Sequence, residues 1–267
     1  MPDFTLKTYA ELLAALISKN YGFITFRNFM EGVSSQTSFV ILRHDVDLLP
    51  DNALQMAILE NQFGLRGTYY FRIIPESFNL PVMQKIADLG HEIGYHYEDM
   101  DLAHKRYKES EEVLIEKAYE SFCHNLKIFQ KHFDIKTVCM HGSPRARYDN
   151  KVIWSKYDYK QLGLIGEPYF DINFNECAYF TDTGRRWNAS QMSIRDKVNS
   201  AYRFNFKTTY HIIENSALLP PGIMFNIHPQ RWHNRLLPWA KELIVQNVKN
   251  IIKYYIASKK QKQSTNF

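Results

Sequence analysis

The chain has 267 residues, 45% of them hydrophobic and 23% charged, which is long enough to bury a sizeable core and too apolar for a disordered segment. The formal net charge is +5, a modest excess with no basic stripe interleaved with aromatics, so nucleic acid is not the expected partner. Cys123, Cys139 and Cys177 are odd in number and far apart, which argues against a disulfide framework and fits reduced thiols in the cytoplasm, and no stretch reaches the roughly 18 apolar residues of a membrane span.

In chain order, MPDFTLKTYAELLAALISKN has apolar residues at helical spacing and lacks the basic start and continuous apolar core of a signal peptide. FVIL (39–42) is a short apolar run, as expected for a strand covered on both faces. DNALQMAILENQFG reads as a helix with a glycine stop, GTYYF (67–71) as a strand, LPVMQKIADLG as a short helix ending at Gly90, and HEIGYHYE (91–98) as a strand. A long amphipathic stretch follows over roughly 105–133. KTVCMHGSP (136–144) reads as a strand entering a turn, CAYFTDTGRRW (177–187) as another strand, and TTYHIIENSALLPPGIMFNIHP as helix, turn and strand. PWAKELIVQNVKNIIKYYIASK closes the series as an amphipathic helix. This alternation predicts an α/β chain with a parallel sheet or barrel. It is expected to be one domain over 1–267, with its core over about 39–257 and a flexible, solvated tail, SKKQKQSTNF, over 258–267.

Costly polar residues collect where the apolar runs end: Asp45 and Asp47 after FVIL, His96 after HEIGY, His141 after TVCM, and His228 after IMFNI. In parallel α/β folds that end of the strands is where sites form. Asp45 and Asp47 alternate on an extended segment, so both carboxylates face one way and His44 faces the other. Two such like charges need a cation, or one of them stays protonated. The simpler reading, an aspartate capping the next helix, accounts for one of the pair and not both. Glu98 shares the face of His96, and His, Asp and Glu together suit zinc or a similar divalent ion. A core histidine bonded to backbone is the alternative for His96. His44 and Glu98 are further metal or site-lining candidates. His141 precedes a Gly-Ser-Pro turn whose chemistry explains Gly142 and Pro144 but not the histidine. His228 can move a proton near neutral pH.

At these residues the chain resembles the polysaccharide deacetylase (NodB-homology) family, carbohydrate esterase family 4 in its broad sense. HDVD is similar to the family's first motif, which implies Asp45 as catalytic base and Asp47 as metal ligand. GTYYF resembles the family's second strand. GHEIGYH is similar to the segment whose last histidine, here His96, binds metal, and NIHP to the motif whose histidine, here His228, is the catalytic acid. The similarity spans roughly 39 to 229. The family's second metal-binding histidine falls at Met100 in this chain, so the third ligand comes from elsewhere, with His141 first and Glu98 next. Where the family carries an arginine that orients the base, this chain has His141 nearby. Asp182 and Trp187 in TDTGRRW echo a further motif. With Ser143 and Pro144 they are candidates for substrate contact.

The resemblance implies a distorted (β/α) barrel of about seven parallel strands. It also implies a hydrolase, dependent on a divalent ion (zinc first), that removes an acyl group, typically acetyl, from an N-acylated sugar, with a place in surface polysaccharide biosynthesis. In that scheme Asp45 takes a proton from the attacking water and His228 gives one to the leaving amine. Two alternatives stay open: a metal-dependent amidohydrolase acting on a non-sugar amide, and an inactive glycan-binding module.

Overall fold

A computed structural model describes residues 2–33, 37–143, 146–188, 198–248 and 250. Its organising element is the strand β2, Phe39–Val46, in which β-branched and apolar residues run on into Arg-His-Asp-Val. The apolar run predicted over 39–42 is therefore only the first half of the strand, and the polar half is part of it. β1 (Gly22–Ile24) pairs with the start of β2 at Phe39–Ile41, and β3 (Thr68–Phe71) with its end at Arg43–Val46. The opposite edge pairs with β7 (Gly222–Ile227). β4 (Glu92–Tyr97), β5 (Val138–Met140) and β6 (Cys177–Thr181) complete a seven-stranded sheet of order β5-β4-β3-β2-β7-β6, and every pairing is parallel.

That order follows the chain around a barrel, with an opening between β5 and β6. The result is a curled half-barrel, consistent with a distorted (β/α) barrel. Residues 165–166 run beside the start of β5, where Gly166 O accepts from Val138 N–H. They lead into the short helix α7 (Pro168–Asp171).

The helices follow from local sequence. Thr5 caps α1 (Leu6–Ser18) by accepting from Thr8 N–H. α3 (Pro50–Gln62) starts on a proline, and α4 (Leu80–Asp88) is capped by Asn79. The amphipathic stretch expected over 105–133 holds α6 (Glu111–Gln130), and its first two residues end a separate helix, α5 (Asp99–Arg106). The break lies just before Ser110, whose hydroxyl caps α6. A short α2 (Phe26–Met30) follows β1, α8 (Thr209–Glu214) precedes β7, and residues 236–248 are helical. The expected tail over 258–267, and the end of the expected core, lie outside the described residues.

Alternation in β2 decides what each face does. Val40 and Leu42 pack outward against α1 and α8 with Tyr9, Leu12 and Ile212, while Ile41 points inward among Tyr70, Cys139 and Met224. Arg43 and Asp45 continue the inward column. Gly94, opposite Tyr70 in the ladder, leaves room for that ring inside the barrel, since a Cβ there would collide with it.

Candidate active site

The inward column of β2 ends at Asp45 and then Asp47, which lies just past the strand. Asp45 is held by Arg43 from two positions earlier, with Nε donating to Oδ1 at 2.9 Å and Nη2 to Oδ2 at 2.6 Å. Both side chains are buried. Burial raises the Asp45 carboxyl, but the Arg43 guanidinium, helped by His96 and His228, outweighs it and holds the group at about 2. An anion at this depth is thus secured before any ligand binds. Arg43 also donates to the Tyr169 hydroxyl at 3.2 Å from the seam between β5 and β6.

Asp47 is arranged differently. Its Oδ2 accepts from Gln230 Nε2 at 3.1 Å. Its Oδ1 is buried and has no hydrogen-bond donor among the described residues, yet it lies 3.5 Å from His96 Nε2 and 3.5 Å from His141 Nε2. Tetrahedral zinc with bonds of about 2.0–2.1 Å separates its donors by about 3.3–3.4 Å. The spacing of these donors therefore fits a small divalent ion, and the idle carboxylate oxygen is the atom such an ion would use. His96 Nδ1 lies 3.0 Å from the Cys139 carbonyl, a bond that assigns the proton to Nδ1 and leaves the Nε2 lone pair facing Asp47. Burial lifts the Asp47 carboxyl, and His141, His96 and His228 together pull it well below the usual range.

His141 stands directly after β5, and its backbone N–H donates to Tyr97 O. Burial lowers its pKa, but Asp47 and Glu98 on either side raise it overall. Glu98 is not a free ligand. Arg72 clamps it, Nε to Oε1 at 2.9 Å and Nη2 to Oε2 at 2.6 Å, and Oε2 lies 3.5 Å from His141 Nδ1. Glu98 is therefore a carboxylate behind the histidine rather than a donor to an ion. Burial raises it, and His141 and Arg72 bring it down to about 2. Asp45, His96 and Cys139 also bring ligand atoms within 4.8 Å of one another. Both Asp45 oxygens already accept from Arg43, whose guanidinium would oppose a cation, so Asp47 is the better carboxylate.

His228 follows β7, with Nε2 4.0 Å from Asp47 Oδ2. Asp182, fully buried, lies 2.7 Å from His228 Nδ1 and accepts from its backbone N–H at 2.9 Å, from Arg231 at 2.5 Å and from Trp232 Nε1 at 2.9 Å. The expectation that Asp182 contacts substrate is corrected: its oxygens are used in orienting His228, Arg231 and Trp232. Trp187 is also not at the site. It is buried between Phe4, Phe225 and Trp232 with Nε1 donating to Thr209 Oγ1. Ser143 is half-buried two residues beyond His141, and Pro144 lies outside the described residues. Met100, at the position the resemblance would give to a histidine, is fully buried in the core on α5.

His44 points to the opposite face of the sheet, as alternation requires. There its Nε2 lies 2.9 Å from Glu60 Oε1, its ring stacks on Tyr69 at 4.0 Å, and Tyr9 donates to the same Glu60 oxygen at 2.7 Å. It lines a buried polar cluster and not the site. Arg43 and Gln230 escaped the sequence reading. Arg43 sits at i−2 from Asp45 on a strand, so alternation alone places it on the same face.

No family model matches the chain, and no curated protein does. Solved structures do. A CE4 esterase of Streptococcus mutans is similar with a TM-score of 0.46 and 11% identity, covering 90% of each chain. A family 4 carbohydrate esterase from Streptomyces lividans, in complex with acetate, has a TM-score of 0.42 and 13% identity over 80% of this chain and 88% of that one. A CE4 family pseudoenzyme from Bacillus anthracis has a TM-score of 0.42 and 12% identity over 82% of this chain and 62% of that one. Among the described residues no helix is long and apolar enough to cross a membrane.

Proposed function

We propose that the chain is a metal-dependent hydrolase that removes an acyl group, acetyl first, from the nitrogen of an acylated sugar. The observation that carries this reading is the buried, donor-free Asp47 Oδ1 facing the Nε2 atoms of His96 and His141 at 3.5 Å each. Asp47, His96 and His141 would hold the ion, and two imidazoles with one carboxylate suit zinc. Once bound, such an ion polarises an amide carbonyl and makes water a better nucleophile near neutral pH.

The remaining work falls to this chain's own side chains. Asp45, kept anionic by Arg43, accepts a proton from the attacking water. His228, oriented from behind by Asp182, donates a proton from Nε2 to the leaving nitrogen as the C–N bond breaks. The products are a carboxylic acid and an amino sugar. Three free cysteines, two of them buried, fit a reducing compartment. A cytoplasmic step in surface polysaccharide biosynthesis is the setting we infer.

The test is acetate release from a panel of N-acetylated sugars by the zinc-loaded protein. We expect turnover in wild type, and loss of both zinc and turnover in Asp47→Ala and His96→Ala. A wild-type protein that binds no divalent ion, or that binds one and releases no acid from any N-acyl sugar, overturns the reading. Ammonia released from small amides instead would point to a non-sugar amidohydrolase.

A further inference from the structure

We infer that Gln230 is a positioning residue for Asp47, selecting which carboxylate oxygen is offered to a metal ion. This rests on the reading of Asp47, His96 and His141 as the metal-holding set. Gln230 sits in the short 3-10 turn Pro229–Arg231 that follows β7. That turn is tied down from α3, where Asn52 Nδ2 donates to Pro229 O at 3.2 Å and to Trp232 O at 3.0 Å. Trp232 beside it is 1% exposed and Gln230 itself 9%, so the amide approaches Asp47 from a fixed platform.

The contact has a defined polarity. An ionised carboxylate only accepts hydrogen bonds, so the NH2 end of the amide must face Asp47 Oδ2, as it does at 3.1 Å. The other end of the amide, Oε1, is then buried with no donor among the described residues. An idle buried carbonyl is unfavourable, and a methionine or leucine would fill the same space without it. The side chain is accounted for by what its Nε2 does.

What Nε2 does is remove a choice. A carboxylate free to turn about its Cβ–Cγ bond can present either oxygen, or both, to a cation. With Oδ2 engaged, Oδ1 alone remains, and it is the atom placed 3.5 Å from both imidazole nitrogens. The donor is also neutral. A lysine or arginine here would oppose a cation, and a glutamate would repel Asp47. No other side-chain hydrogen bond to Asp47 is made among the described residues; the imidazoles of His96 and His141 stand 3.5 Å from Oδ1 and that of His228 4.0 Å from Oδ2.

The experiment measures zinc affinity of the full chain by competition with a chromophoric chelator, and the absorption spectrum of the cobalt(II)-loaded protein, which reports ligand geometry. Gln230→Met keeps length and packing and removes the donor. We expect zinc binding weaker by roughly 10- to 100-fold and a cobalt spectrum of altered shape. Ser110→Ala removes the hydroxyl that caps α6, away from Asp47 and from the turn that carries Gln230, and we expect it to keep the wild-type spectrum and affinity. If Gln230→Met does not fold, as judged by circular dichroism and melting, Gln230→Leu takes its place. Wild-type affinity and spectrum in the Gln230 variant overturn the inference alone. Equal losses in the Ser110 and Gln230 variants overturn it in favour of a general effect of stability. A wild-type chain that binds neither zinc nor cobalt overturns the metal reading, and the inference falls with it.

Discussion

Replacing Arg43 by methionine should expose how Asp45 is kept charged. The two side chains are 0% and 4% exposed and are joined by two hydrogen bonds. Removing one partner of a buried pair costs about 3–5 kcal/mol at neutral pH, because the other charge is left without compensation. The pH dependence is more specific. Asp45 is lowered from 3.8 to about 2 in the fold. A difference of nearly two units at 1.36 kcal/mol each is worth about 2 kcal/mol. Because the folded value is the lower one, this stability is fully present above about pH 4 and disappears as pH falls towards 2. In Arg43→Met the main lowering cause is gone and burial is opposed only by His96 and His228, so the folded value rises and the acid-range slope of stability shrinks. Urea denaturation in EDTA, repeated from neutral pH down to about pH 2.5, measures both effects. Glu98, Asp47 and Asp182 are lowered as well but are common to both proteins, and Glu167, which also faces Arg43, titrates higher, so the difference between the two curves below about pH 4 reports Asp45. Curves that run parallel below pH 4, with a loss at pH 7 under about 1 kcal/mol, would refute the argument. Adding Asp45→Leu to the variant should recover most of the lost stability.

Asp182→Asn should leave bound zinc unchanged and lower acyl hydrolysis by about 10²- to 10⁴-fold, since His228 loses the anion that orients it. Metal analysis and initial rates on one sample check this, and loss of the metal would show that Asp182 acts elsewhere. Glu167 gives a stability slope of opposite sign. Burial pushes it up to about 7, against the N–H groups of Met140 and Tyr169 and the charge of Arg43. Its folded value lies above its unfolded 4.5, so stability should decline by about 3 kcal/mol as pH rises from about 4.5 to 7. Glu167→Gln should flatten that decline in urea denaturation, and an unchanged slope would refute the assignment.

Much of the architecture was legible because it depends on local pattern. The runs at 67–71 and 91–98 and the strand ends at His141 and His228 are where the sequence places them. So is the shared face of Asp45 and Asp47, which follows from a period of two. The long stretch at 105–133 contains α6, but its start was placed too early, because α5 runs up to Arg106 and only the capping Ser110 marks where α6 begins. Partnerships across the sheet were harder. Glu98 looked like a ligand from its place beside His96, and only the arrival of Arg72 from β3 turns it into a carboxylate that stands behind His141. Asp182 and Trp187 both meet Trp232, but Asp182 is committed to His228 and Trp187 to Thr209, partners that no spacing in the sequence foretells. Gln230 meets Asp47 across 183 residues, a distance over which no spacing rule operates.

The opening between β5 and β6 has a bearing on how the protein behaves when concentrated. A closed barrel has no strand edges, whereas among the described residues β5 and β6 each present one at the opening, and an unpaired edge is a template for another chain. Here both edges are short, three residues in β5 and five in β6. Each is met at one point by the chain's own backbone, Gly166 beside Thr137 and Asn188 beside Thr181. A proline at residue 168 begins α7, so the segment beside β5 cannot continue as a strand. Self-association by strand addition is thereby discouraged at the place where the barrel is left open, and substitutions that straighten 165–168 should promote aggregation, read by light scattering of the concentrated protein.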